Sequence, residues 1–105
     1  GNPQAGTTAV TLVVVRKPST KLSTAPSVIA PIGKAVTLKL RGLPKKTNFA
    51  VKVKSGGKWM SLGKVRTTKA GRATLPTFTV DKAGTYSIQL ATAKGAKYYV
   101  KVLVR

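Results

Sequence analysis

Of the side chains that carry most protein chemistry, the sequence holds a single acid, Asp81, and no His, Cys or Glu. A paired-carboxylate mechanism needs two acids, and a nucleophile–base triad needs a base to take the nucleophile's proton. A Ser–Lys dyad is formally open in so lysine-rich a chain, yet no spacing supports one. Neither a Cys/His cage nor a carboxylate cluster can be assembled for a metal. The expectation is therefore a non-enzyme with no catalytic residue, no cofactor and no metal. Asp81 opens the run Asp81-Lys82-Ala83-Gly84. There, a short acid followed by Gly reads as turn chemistry.

The cations are the other conspicuous set. Lys+Arg number 20 against one acid, a formal net charge of +19. Surface ion pairs cannot neutralise such a chain, and it attracts anionic matter in general. Lys39, Arg41, Lys52, Lys54, Lys58 and Lys101 are the candidate polyanion contacts, with Trp59 beside them as a ring able to stack. The partners this implies are an anionic wall polymer, nucleic acid or an acidic protein surface. The plainer reading is a solvated surface whose edge lysines block unwanted strand pairing. Lys outnumbers Arg three to one, which disfavours bidentate base or phosphate reading. No helix-turn-helix, zinc-finger or RNP signature is visible. Trp59 has its own plainer reading, a partly buried cover for one sandwich edge. At Tyr98-Tyr99, alternation sends one ring inward and one outward, making Tyr98 the core residue and Tyr99 the candidate contact.

The elements that must position these residues are strands. Val and Thr are abundant, Gly and Pro punctuate at short intervals, and no long segment has helical period. No apolar run is long enough to span a bilayer. Gly1 to Gly6 reads as a flexible lead. Thr7 to Val15 reads as a strand apolar on both parities, so cover is expected on both faces. Arg16 to Ser27 is a Pro/Ser/Thr/Lys-rich linker or a Pro-interrupted edge strand. Then come Ala35 to Arg41, Asn48 to Ser55 turning at Gly56-Gly57 into Lys58 to Leu62, Ala73 to Val80 interrupted at Pro76, Asp81 to Leu90, and Lys97 to Arg105. Residues 1–26 divide off as an N-terminal extension, and 27–105 as one sandwich domain. The segment Gly6 to Arg16 is similar to Gly95 to Arg105, as though the N-terminus carried the last strand of a preceding repeat.

Asp81, Gly84 and Tyr86 resemble the tyrosine corner of immunoglobulin-like sandwiches, in which a Tyr hydroxyl bonds back to the preceding turn. Ile88 stands where antibody-type domains carry a core Cys. Further matches are Val36-Thr37-Leu38 after Gly33-Lys34, Lys54-Ser55-Gly56-Gly57-Lys58-Trp59 followed by Leu62, and Gly71-Arg72-Ala73-Thr74-Leu75. Together they make the segment from Ser27 to Arg105 similar to the Ig-like repeats of exported, actinobacterial-type cell-surface proteins. The expected fold is thus an all-β, immunoglobulin-like β-sandwich of about seven strands plus an extra N-terminal strand.

The resemblance implies an extracellular, cell-surface module with a structural or adhesive role. The surplus strand suggests a mechanism: Val10, Leu12, Val13, Val14 and Val15 could complete a neighbour's sheet, building a self-assembled filament or surface layer through donor strands. The alternatives are a strand folded back in its own domain, a monomeric basic module on an anionic polymer, and a virion decoration protein.

Overall fold

The computed structural model describes residues 10–105. The expected lead at Gly1 to Gly6, and the start of the first expected strand at Thr7 to Ala9, lie outside the described residues. Nine strands form among the described residues: β1 Val10–Val15, β2 Ser27–Ala30, β3 Ala35–Leu40, β4 Asn48–Ser55, β5 Lys58–Arg66, β6 Ala73–Thr74, β7 Phe78–Thr79, β8 Gly84–Ala91 and β9 Lys97–Val104. They make two sheets. One holds β1, β3 and β6 in that order, with β7 also on β3; the other runs β2-β9-β8-β4-β5.

Alternation decides which residues face the core. Val36, Leu38 and Leu40 of β3 are sealed off, as are Phe49 and Val51 of β4, Ile88 and Leu90 of β8, and Val100, Val102 and Val104 of β9. The intervening residues point away, because successive strand side chains take opposite faces. Each aliphatic side chain removed from water in this way contributes about 1.5–3 kcal/mol. Tyr98 joins the core edge-on to Phe49, with ring centroids 5.8 Å apart at 79°. Among the described residues, every buried side-chain nitrogen or oxygen has a hydrogen-bond partner.

The first strand corrects the expectation of strand donation. β1 pairs in parallel with β3 of its own chain, from Val10 opposite Ala35 to Val15 opposite Leu40. Val15 is fully buried, and Val13 packs against the core. The side of the strand that faces β3 is thus paired within the molecule. Nor is β1 covered on both faces, since Leu12 and Val14 are 57% and 47% exposed. Their side chains alternate with the core-facing Val13 and Val15 and so take the outer face of the sheet.

Parallel neighbours need a crossover, and here the Pro-rich stretch after β1 supplies it. The chain leaves the first sheet and docks along β9 of the second. Ser19 and Tyr99 exchange backbone hydrogen bonds, and Lys101 N donates to Pro26 O at 2.8 Å. β2 then pairs in parallel with β9 before the chain returns as β3. The stretch is therefore held by the backbone of β9 at Ser19 and again at Pro26.

Pro76 splits the expected strand at Ala73 to Val80 into β6 and β7. These pair antiparallel with opposite ends of β3. Proline cannot donate to a ladder, so regular pairing stops between them, although Leu75 N still donates to Leu38 O at 2.9 Å. Gly71 is essential to the preceding turn. Its φ is +72°, and a Cβ there would collide with Leu43 O.

An apolar cleft at one end of the sandwich

The sheets part at the end where the β4–β5 hairpin overhangs β7, leaving a cleft of about 330 Å³. Two features of the chain open it. β7 is only two residues long, so the first sheet has little strand to lay against the nine-residue β5. The register of β4 against β5 also shifts, so that Val51 faces Gly63 while Lys52 faces Ser61. Leu62 is the extra residue of this bulge and lines the cleft.

The cleft is graded from apolar to polar. Ile88 and Val102 form a buried floor. Val53, Leu62, Phe78, Val80 and Tyr86 are half-buried walls, and Ser55, Met60, Thr79, Asp81 and Lys82 make an exposed rim. The Tyr86 hydroxyl donates to Lys82 O at 2.8 Å, tying wall to rim. Gly33 N donates to Val80 O at 2.8 Å and anchors the opposite wall. Asp81, the only acid of the sequence, therefore stands with Lys82 at the polar rim of a mainly apolar hollow. A second hollow, bordered by Lys17, Pro18, Ser19, Thr20, Thr24, Gly42 and Tyr98, is polar.

The candidate polyanion contacts do not converge on one site. Lys39 is exposed on the outer face of the first sheet, and Arg41 follows it immediately after β3. Lys58 sits at the hairpin end opposite Ser55. Lys52, Lys54, Trp59 and Lys101 share the outer face of the five-stranded sheet. Trp59 is 39% exposed, and Lys54 Nζ lies 5.7 Å from its ring centroid. Tyr99 is on the same face, where its hydroxyl accepts from Gln89 Nε2 at 3.3 Å. Gly84 begins β8, two residues before Tyr86.

Apart from Tyr86 and Asp81, singled out as a turn, the cleft lining was not picked out by sequence. Val53, Ile88 and Val102 read there as ordinary core positions, and nothing in a linear pattern says that a gap faces them. The one local cue was Pro76 shortening the strand opposite. Thr67 was likewise missed. It is 3% exposed, donates from its hydroxyl to Pro44 O at 2.6 Å and accepts from Thr47 N at 2.7 Å.

No protein-family model and no curated protein matches the chain. Solved structures do. Auracyanin B aligns over 94% of this chain and 91% of its own, with TM-score 0.55 and 16% identity. Reduced auracyanin from Roseiflexus castenholzii aligns over 91% and 96%, with TM-score 0.57 and 12% identity. An amicyanin variant with Cu(I) aligns over 96% and 89%, with TM-score 0.51 and 21% identity. These cupredoxins correct the resemblance to Ig-like cell-surface repeats. The tyrosine corner and the hairpin spacing are features of local turns and strands, and the strand order places them in a different sandwich. With that resemblance go the expectations it carried: a structural or adhesive filament subunit, assembly through donor strands, and a polymer of copies as partner. Binding to an anionic polymer or an acidic protein surface, and virion decoration, likewise find no support among these neighbours.

Copper does not fit this chain. A blue-copper site uses two His and a Cys with a weak axial Met, and the whole sequence has no His, no Cys and one Met. That Met60 lies 57% exposed on the cleft rim. Among the described residues, no group of three or more His, Cys, Asp or Glu could hold a metal ion, and no helix is long and apolar enough to cross a membrane. The chain is an all-β, two-sheet sandwich of cupredoxin-like fold.

Proposed function

We propose that this chain is a non-catalytic binding module that takes a small apolar molecule into the cleft beneath the β4–β5 hairpin. The observation that carries the reading is the cleft itself. It is about 330 Å³ in volume, with a buried aliphatic floor of Ile88 and Val102. Protein interiors are close-packed, and apolar hollows of about 300 Å³ and more with a few convergent polar groups are the usual form of small-molecule sites. The apolar body of the ligand meets Val53, Phe78 and Val80. Its polar end lies at Ser55, Asp81 and Lys82. In this reading Asp81, Gly84 and Tyr86 hold the shape of the rim. An extracellular setting suits the charge, because a +19 chain inside a cell would be occupied by nucleic acid.

The test is titration with the neutral fluorophore N-phenyl-1-naphthylamine, chosen so that the protein's charge does not recruit it. Saturable binding at one site is expected, and Val80→Trp, which fills the cleft, should weaken it at least about tenfold. Circular dichroism and thermal melting establish that the variant is folded, and Leu62→Phe provides a second filling from the opposite wall. Absence of saturable binding, or equal binding by folded filled variants, rejects the reading.

A further inference from the structure

The five-stranded sheet has a second face, turned away from the core. Phe49, Val51 and Val53 point inward, so the residues between them point outward. Residues directly opposite on neighbouring strands share a face, and the register therefore maps the outer surface. Trp59 faces Lys54, Lys54 faces Ser87, Ser87 faces Lys101 and Lys101 faces Ser27, one row crossing all five strands. The next row sets Lys52 opposite Gln89 and Gln89 opposite Tyr99. Lys64 lies on the same face, opposite Ala50. At the far edge Ile29 pairs with Leu103 and is 52% exposed. No acid is on this face, since the only one, Asp81, lies at the cleft.

Two properties meet here. Cations are spread across strands about 4.8 Å apart, and exposed apolar groups sit at both edges, Trp59 on β5 and Ile29 on β2. A linear polyanion is held best in a groove that tracks its backbone, and neither of the two hollows described above is lined by this face. An anionic bilayer is the partner that offers both halves of the match. Its headgroups attract many lysines at once. Its interface takes up tryptophan and aliphatic side chains, while lysine stems lie along it with their ammonium groups toward the phosphates. Lys54 already lies over the Trp59 ring, so its charge is carried to the place where the ring would enter.

We propose that the outer face of the five-stranded sheet docks this protein on the surface of anionic lipid bilayers, with Trp59 and Ile29 entering the interface and Lys52, Lys54, Lys64 and Lys101 on the headgroups. Docking is peripheral and does not depend on the cleft being a ligand site.

The experiment mixes the whole chain with phosphatidylcholine vesicles, with and without about one-third phosphatidylserine, at physiological salt. Trp59 is the only tryptophan and so reports its own depth. Co-sedimentation with the anionic vesicles alone, a blue shift of emission and quenching by bromine-labelled lipid are expected. Replacing Lys52, Lys54, Lys64 and Lys101 with Gln should lower partitioning about a hundredfold or more, near fivefold per cation. Replacing Lys45, Lys46, Lys69 and Lys94 in the loops with Gln removes equal charge and should change it less than about threefold. Equal loss in both variants overturns the proposal, because net charge alone would then explain binding. Failure of brominated lipid to quench Trp59 overturns it too. So does tighter binding to single-stranded oligodeoxythymidylate than to anionic vesicles at the same salt, which would make nucleic acid the partner.

Discussion

The Tyr86 hydroxyl lies 2.8 Å from the carbonyl oxygen of Lys82, to which it donates a hydrogen bond. Tyr86 is a wall of the apolar cleft and Lys82 is on its rim, so one bond spans the turn that closes the mouth. Tyr86→Phe keeps the ring and removes the donor. A typical hydrogen bond contributes about 1 kcal/mol, so a melting-point loss of a few degrees is expected, with faster release of a neutral dye from the cleft. Unchanged dye dissociation would show that the turn does not control the mouth.

Thr67 is the buried polar link between the turn at Pro44 and Thr47 and the strand β5. Its hydroxyl both donates and accepts. Thr67→Val keeps the shape and strands two backbone groups, which costs about 1–3 kcal/mol in urea unfolding. Thr67→Ser retains the hydroxyl and should recover most of that loss. Equal destabilisation by both substitutions would assign the role to the methyl group instead.

Gly71 packs against the backbone of Leu43 at a positive φ. Leu43 N also donates to Gly71 O at 3.1 Å, so neither loop of this contact can retreat cheaply. Gly71→Ala should destabilise by on the order of 3 kcal/mol, from the left-handed backbone and the clash together. Gly57→Ala has only the first of these, because no atom lies near its missing Cβ. It should cost clearly less in the same unfolding assay.

Net charge sets a salt dependence. With +19 and one acid, the folded state compresses like charges that the unfolded chain spreads out. Raising salt shortens the Debye length from about 30 Å at 0.01 M to 10 Å at 0.1 M. The melting temperature should therefore rise by several degrees over that range. A falling melting temperature would mean that specific ion pairs, not repulsion, dominate.

Copper should leave the protein colourless. Adding Cu(I) or Cu(II) is expected to give no intense visible absorption and no stabilisation of the fold, since a blue-copper site needs a thiolate and two imidazoles and the chain has neither group. A coloured, stabilised complex would require a donor set other than the blue-copper one.

How much was legible in the sequence depended on the range of the interaction concerned. Alternation in Val36-Thr37-Leu38-Lys39-Leu40 and in Tyr98 to Val104 marked inward and outward residues, because side-chain direction in a strand is set by the backbone of that strand alone. Gly56-Gly57 marked the hairpin for the same reason: both residues take a positive φ, which glycine adopts without strain. The absence of His and Cys left no Cys/His ligand set for a metal, which is a matter of residue identity alone. Those conclusions rest on residue identity and local geometry. Which sandwich these strands build was not local. The tyrosine, the turn and the hairpin pointed to an Ig-like repeat, yet strand order is decided by pairings between distant segments, β1 with β3 and β2 with β9. The same holds for Thr7 to Val15. Its apolar parities said that it would be buried, and only tertiary pairing decided that β3 of its own chain would receive the part from Val10 to Val15, leaving Leu12 and Val14 outside. The cleft is the furthest from sequence, because it exists where two sheets fail to meet. Val53, Ile88 and Val102 became its lining through the shortness of β7 on the other side of the core, and no pattern within their own strands could encode that.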